Sequence, residues 1–223
     1  PVPVNTLLRA NDYRFILENS GYAVAIYSLE FAAEVEQALG LADSGPAHSL
    51  ATEGGDSAFF ALMETAPDML DPAPATADDD CFWLYTSGST GTPKGGVHAH
   101  RDMVVSSQYY GVETLGATED DIHFSAAKLF FAYGLGNGMT FPLWVGGSCI
   151  LLPGPPSPDS TFDVIETFGP SIYYGVPTLY AAQLKALETS SRDLSSLRAC
   201  VSAGRALRSE ERRGGSRGGT GGG

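Results

Sequence analysis

Residues 85–100 read YTSGSTGTPKGGVHAH. Glycines at 88, 91, 95 and 96 let the backbone take φ > 0 and approach a ligand closely. The N–H groups of such a loop form an anion-binding concavity. Thr86, Ser87, Ser89, Thr90 and Thr92 add hydroxyl donors. Lys94 adds a mobile positive charge suited to a phosphate. Together these groups suit a polyphosphate. The stretch is not a P-loop, which needs Gly-x-x-x-x-Gly-Lys-Ser/Thr. Pro93 stands before Lys94 and Gly95 after it, so no hydroxyl adjoins the lysine to bind Mg²⁺. A flexible linker is the plainer reading. The apolar CFWLYT run before the stretch, the helical pattern after it and the stiffening Pro93 oppose that reading.

A second constellation is aromatic. Residues 128–142 read KLFFAYGLGNGMTFP. Aromatic rings interleaved with glycine suit a flat ring, by stacking and close backbone approach. Phe130 and Phe131 fit equally well as core residues. Gly175–Thr178 turns a strand end into a helix, which an ordinary βα turn also explains. His98 and His100 are two residues apart and do not share a helix face, so no metal site is expected there. Asp78, Asp79 and Asp80 read as a solvated charge run.

The elements that must position these groups follow from periodicity. Asn11-Asp12 are placed as the cap of a helix running to Asn19, with Gly21 beyond its end. Residues 22–27 (YAVAIY) read as a buried strand. Ser28 is placed as the cap of a helix that Gly40 stops. Residues 42–56 and 65–80 read as exposed loops. Strands are expected over 81–86, 122–126, 148–152, 171–174 and 197–202. Helices are expected from about 100 to 115, over 138–145, 158–168 and 177–188. Their alternation predicts an α/β fold of layered βαβ units with mostly parallel sheets. The polyphosphate stretch then lies between a strand and a helix, where such sheets place ligands.

The chain has 223 residues and a net charge of −13. The charge is uneven: residues 205–223 carry +3 and residues 1–204 carry −16. So acidic a body repels a phosphate backbone, so no nucleic-acid partner is expected. ATP needs local N–H groups, a lysine and a metal ion to overcome that field. No apolar run is long enough to span a membrane, and no membrane association is expected. Cys81, Cys149 and Cys200 are odd in number and lack CxxC spacing. They read as buried, reduced thiols of a cytoplasmic protein. After Gly204 the composition collapses: seven of the last ten residues are glycine. Residues 205–223 are read as a Gly/Arg-rich tail, disordered or read out of the true frame from near Arg205.

The order Tyr-Thr-Ser-Gly-Ser-Thr-Gly-Thr-Pro-Lys-Gly closely resembles the phosphate-binding signature of the adenylate-forming (AMP-binding) superfamily. PVPVNTLL at the start, KLFFAYGLGNGMTFP, SIYYGVPTLY at 171–180 and ACVSAG at 199–204 resemble its benzoate-CoA ligase group. The resemblance covers residues 1–204, read as a middle slice of the large N-terminal domain. It implies that Thr86, Ser87, Gly88, Ser89, Thr90, Gly91, Thr92 and Lys94 grip the ATP phosphates while a carboxylate attacks the α-phosphorus. It implies that Phe131, Ala132, Tyr133 and Gly134 border an aryl carboxylate pocket. Many acyl-CoA synthetases have a histidine where Phe131 stands. It places Ser202, Ala203 and Gly204 near the adenine or the acyl group. The family usually continues with an acidic residue where this chain has Arg205.

ATP, Mg²⁺ and coenzyme A are the implied co-substrates. Benzoate or a substituted benzoate would be activated to acyl-AMP and then to the CoA thioester. A fatty acyl-CoA ligase, a peptide-synthetase adenylation domain and an inactive truncated product remain as alternatives. The resemblance also implies an acidic Mg²⁺-holding residue, a ribose-binding Asp and a small C-terminal domain with the principal catalytic Lys. None of these is matched within the 223 residues, so the chain alone is expected to show no ligase turnover.

Overall fold

A computed structural model describes residues 1–43, 45–53, 58–86 and 93–203. The chain packs as two compact units that meet in sequence at Ala99/His100.

In the first unit, helix α1 (Ala10–Ser20) is followed by strand β1 (Val24–Tyr27) and helix α2 (Ala32–Leu41). Strand β2 (His48–Ala51), helix α3 (Ala58–Thr65), and strands β3 (Asp80–Thr86) and β4 (Lys94–Ala99) complete it. Asn11 and Asp12 lie inside α1 rather than capping it, and Arg9 takes the cap position. Glu34 accepts from the Ala10 N–H (2.8 Å) and from the Arg9 guanidinium (3.1 Å), so a carboxylate of α2 closes the start of α1. Gly21 ends α1 in the left-handed region (φ 61°), as the sequence implies. Gly40 does not stop α2, which runs on to Leu41. β1 is half-exposed rather than buried: among the described residues it pairs with β2 alone, a parallel strand inside the expected 42–56 loop. Ala10, Tyr13 and Ala38 are buried between α1 and α2, with Val35 and Leu17 against them.

The second unit is a four-stranded parallel sheet in the order β6-β5-β7-β8. Its strands are β5 (Ile122–Ser125), β6 (Ser148–Leu151), β7 (Ile172–Gly175) and β8 (Ala199–Ser202). Helices α7 (Pro158–Phe168) and α8 (Pro177–Leu187) connect β6 to β7 and β7 to β8. Helix α4 (His100–Ser106) continues into a π-helical turn over Ser107–Val112 and leads to β5. Short helices α5 (Ala132–Leu135) and α6 (Phe141–Val145), joined by a π-helical turn over Gly136–Thr140, link β5 to β6. Alternation along β7 sorts the side chains by face. Tyr173 packs with Phe124, Ile165 and Leu179, under α7 and α8. Ile172 and Tyr174 pack on the other face with Ala117 and Val201, near Leu115, Tyr133 and Val145. Large rings such as Phe124 and Tyr173 are fully buried, and each contributes about 2 kcal/mol by burial. Ser157 caps α7 by accepting from the Ser160 N–H (3.1 Å), and Gly169 ends it with φ 58°.

Candidate active site

The polyphosphate stretch differs from expectation in its frame. It does not pass from a strand into a helix. β3 and β4 pair antiparallel, and α4 begins only after β4. Two adjacent glycines hid β4, because glycine is depleted in strands. Gly95 stands opposite Tyr85 in the ladder, and the Tyr85 ring covers it. A Cβ at Gly95 would lie 3.1 Å from that ring. Phe15 meets the same ring edge-on at 6.5 Å, and the Tyr85 hydroxyl donates to Asn19 at 2.7 Å. Gly95 therefore serves cross-strand packing, not a positive φ. Thr86 and Lys94 form the last pair of the ladder. The hairpin thus holds the two ends of the stretch opposite each other, with both residues exposed. Ser87, Gly88, Ser89, Thr90, Gly91 and Thr92 lie outside the described residues, as do Gly204 and the 205–223 tail. His98 stacks on Phe82 at 4.8 Å.

In the second unit, the aromatic segment crosses the carboxyl ends of the parallel strands. Lys128, just after β5, donates to the carbonyls of Leu152, Pro153 (3.0 Å) and Gly154 (2.6 Å), which follow β6. Burial lowers its pKa. This grip ties the start of the segment to the end of the neighbouring strand. Gly134 then passes so close to it that a Cβ would lie 2.0 Å from the Lys128 carbonyl oxygen and 2.7 Å from that of Ala127. Glycine is obligatory there for contact, without any ligand. Phe131 is 46% exposed and tilted against Phe130 at 4.6 Å, so it is not the core residue its type allowed. Ala132 is exposed beside it.

Tyr133 turns the other way. Its hydroxyl lies 3.0 Å from the carbonyl oxygens of both Gly175 and Val201, at the ends of β7 and β8. Its ring meets Tyr174 edge-on at 6.4 Å. Burial pushes the phenol pKa well above its ordinary value, so it stays a neutral donor. Tyr180, the last residue of the SIYYGVPTLY stretch and not among the expected site residues, comes to the same place from α8. Its hydroxyl accepts from the Gly175 N–H (3.1 Å) and lies 2.9 Å from the Val201 carbonyl oxygen. A Cβ at Gly175 would lie 2.8 Å from the Tyr180 ring. Ser202 pairs with Gly175 in the ladder, and its hydroxyl is buried without a partner among the described residues. Ala203 follows it.

The structure therefore gathers Tyr133, Gly175, Ser202 and Ala203 at one end of the sheet, with Phe131 and Ala132 on the segment above. Among the described residues, no three His, Cys, Asp or Glu side chains come together as metal ligands. A cavity of about 760 Å³ lies in the first unit, lined by Pro3, Ile16, Leu17, Tyr22, Phe31 and Trp83 among others. It contains none of the expected site residues.

The AMP-binding enzyme family model matches residues 1–214. A benzoate–CoA ligase of Thauera aromatica is 44% identical over 93% of the chain, which covers 39% of that protein. The crystal structure of a benzoate CoA ligase from Burkholderia xenovorans LB400 superposes with a TM-score of 0.84 at 39% identity, over 93% of this chain and 41% of that one. The anthranilate CoA ligase AuaEII, solved with anthranoyl-AMP, gives a TM-score of 0.86 at 40% identity, over 92% of this chain and 40% of that one. The chain spans about two fifths of the length of the relatives it matches.

Proposed function

The chain belongs to the AMP-binding enzyme family, and from that premise we propose that it supplies part of the nucleotide- and acid-binding region of an AMP-forming aryl-CoA ligase. The reaction joins benzoate, or a substituted benzoate, to ATP. A carboxylate oxygen attacks the α-phosphorus and pyrophosphate leaves. The thiol of coenzyme A then attacks the acyl-AMP carbonyl, and AMP leaves. The observation that carries this reading is the 44% identity to a benzoate–CoA ligase along almost the whole chain.

In this reading, Lys94 and Thr86 flank the ATP phosphates at the two ends of the hairpin, with residues 87–92 between them. Lys94 offsets phosphate charge, and the neighbouring hydroxyl and N–H groups donate to phosphate oxygens. Phe131, Ala132 and Tyr133 form the wall against which the aryl ring lies, while Gly134 keeps that wall close to the sheet. Tyr133 presents its ring rather than its hydroxyl, which donates to the main chain. Ser202 and Ala203, with Gly204 after them, border the adenylate. Mg²⁺ would enter with ATP, and no step is assigned to a metal held by the described side chains. The compartment proposed is the cytoplasm. No described helix is long and apolar enough to cross a membrane.

The test is to purify the gene product that carries this chain and supply ATP, Mg²⁺ and coenzyme A. Benzoate, 4-hydroxybenzoate, 2-aminobenzoate and a medium-chain fatty acid are each added. AMP and acyl-CoA are followed by mass spectrometry. Benzoyl-CoA with stoichiometric AMP is the expected product. Preference for the fatty acid, or no acyl-AMP from any aryl acid, would sink the reading. The 223 residues by themselves are expected to give no thioester, since they span about two fifths of the relatives.

A further inference from the structure

Strand ends leave main-chain groups without ladder partners, and buried groups of this kind must be paired elsewhere. At the carboxyl end of β7 and β8, two phenols pair them. The Tyr180 hydroxyl receives the Gly175 N–H and faces the carbonyl oxygens of Val201 (2.9 Å) and Tyr173 (3.3 Å). The Tyr133 hydroxyl faces those of Gly175 and Val201, both at 3.0 Å. A phenol has one proton to donate. Tyr133 shares its one proton between the Gly175 and Val201 oxygens as a three-centre bond, while Tyr180 donates to Val201, whose two lone pairs accommodate both hydroxyls. Gly175 is held on both sides, its N–H by Tyr180 and its carbonyl by Tyr133. The two phenols are therefore coupled through two residues of main chain.

We propose that Tyr180 is a positioning residue: through Gly175 and the shared Val201 carbonyl, it fixes where the Tyr133 ring stands and so shapes the acid-binding wall. This rests on the reading of Tyr133 as part of that wall. Tyr180 does not touch the substrate. It comes from α8, below the strand ends, and its ring fills the space a Gly175 side chain would need. The Tyr173 ring, edge-on at 5.4 Å, holds it from the core. Removing its hydroxyl frees the Gly175 N–H and leaves Val201 to Tyr133 alone. Tyr133 can then settle on one carbonyl in place of two.

The test has two parts, both comparing Tyr180→Phe with the parent. In the gene product that carries this chain, amide hydrogen exchange at Gly175 is expected to quicken about fivefold, the loss of one hydrogen bond. The ring resonances of ¹³C-labelled Tyr133 are expected to shift. Exchange at Ile172, deeper in the same strand, serves as the internal reference. An unchanged Gly175 rate with unmoved Tyr133 resonances overturns the proposal, whatever the enzyme does.

In the same gene product, KM for benzoate is expected to rise about three- to tenfold. KM for ATP should stay within twofold, and Tyr133→Phe/Tyr180→Phe should lose less than the two single changes combined. Equal rises in both KM values, or full additivity, would reduce Tyr180 to a general stability role. A parent enzyme that turns over no aryl acid defeats the functional reading instead, and the exchange and resonance data still decide the coupling.

Discussion

The two ends of the four-stranded sheet are closed by opposite chemistries. At the amino end, Asp121 is 4% exposed and accepts from a guanidinium, hydroxyls and a main-chain N–H. Arg198 reaches it with two guanidinium nitrogens, at 2.7 and 2.6 Å, Ser171 with its hydroxyl at 2.7 Å, and Thr118 with its N–H at 2.9 Å. Arg198 also donates to the carbonyls of Leu115 and Gly116. That end is ionic and saturated. At the carboxyl end the charged group among the described residues is Lys128, and its ammonium is spent on three main-chain oxygens after β6. The main-chain groups at the ends of β7 and β8 are closed by neutral phenols, Gly134 and Gly175 are forced by contact, and the Ser202 hydroxyl has no partner among the described residues. A carboxylate there would repel an anionic acid and a polyphosphate alike. The buried carboxylate of the sheet thus lies at its amino end, and the groups of Tyr133, Tyr180 and Ser202 beside the proposed ligands are uncharged.

That contrast can be broken at either end. Gly134→Ala should have the largest effect. The new methyl meets main-chain oxygen rather than a flexible side chain, so the segment over the carboxyl end must move. The expected loss is more than about 3 kcal/mol in urea unfolding. A loss below ~1 kcal/mol would mean that the close approach is absent in solution. Arg198→Ala comes next. It strands the buried Asp121 carboxylate with neutral donors, at a cost of about 3 kcal/mol. Arg198→Lys should recover part of this, because an ammonium cannot repeat the two-pronged contact.

The smallest effect is the dependence on pH. Arg198 holds the Asp121 carboxyl well below the usual carboxylate range. Its contribution is complete above the unfolded value of about 3.9 and is lost as pH falls below that. His123 is fully buried, its Nδ1 2.8 Å from the Tyr174 hydroxyl, and burial lowers its pKa. The unfolded imidazole takes up a proton near ~6.5, so stability should already decline gently below that pH. His123→Gln should remove the upper phase and spare the lower one, and Asp121→Asn should do the reverse. A single transition unaffected by either change would contradict both assignments.

Much of the sheet was legible in the sequence. The alternation after residue 120 points to four strands and two long helices nearly in register with the structure, because each strand is short, α7 carries its own Ser157 cap and Gly169 stop, and both helices open on a proline. The first unit was less legible. HSLA has no alternation of its own and becomes a strand only by pairing with β1. KGGVHA contradicts strand propensity and is rescued by the Tyr85 ring. Of the candidate site, Tyr133 stood out by its aromatic company. Tyr180 did not, since a tyrosine at helical spacing in an apolar face looks like any core residue. Lys128 was equally silent: its partners are carbonyls, which no side-chain pattern announces.

Lys128 also has a consequence for how the chain meets proteases. Its ammonium group is held by three consecutive main-chain oxygens. Trypsin must draw a lysine out into its own acidic pocket before it can cut. The bond between Lys128 and Leu129 is therefore masked while that grip lasts, although it lies in a segment without regular structure. The first appearance of that cleavage would time the release of the segment from the sheet.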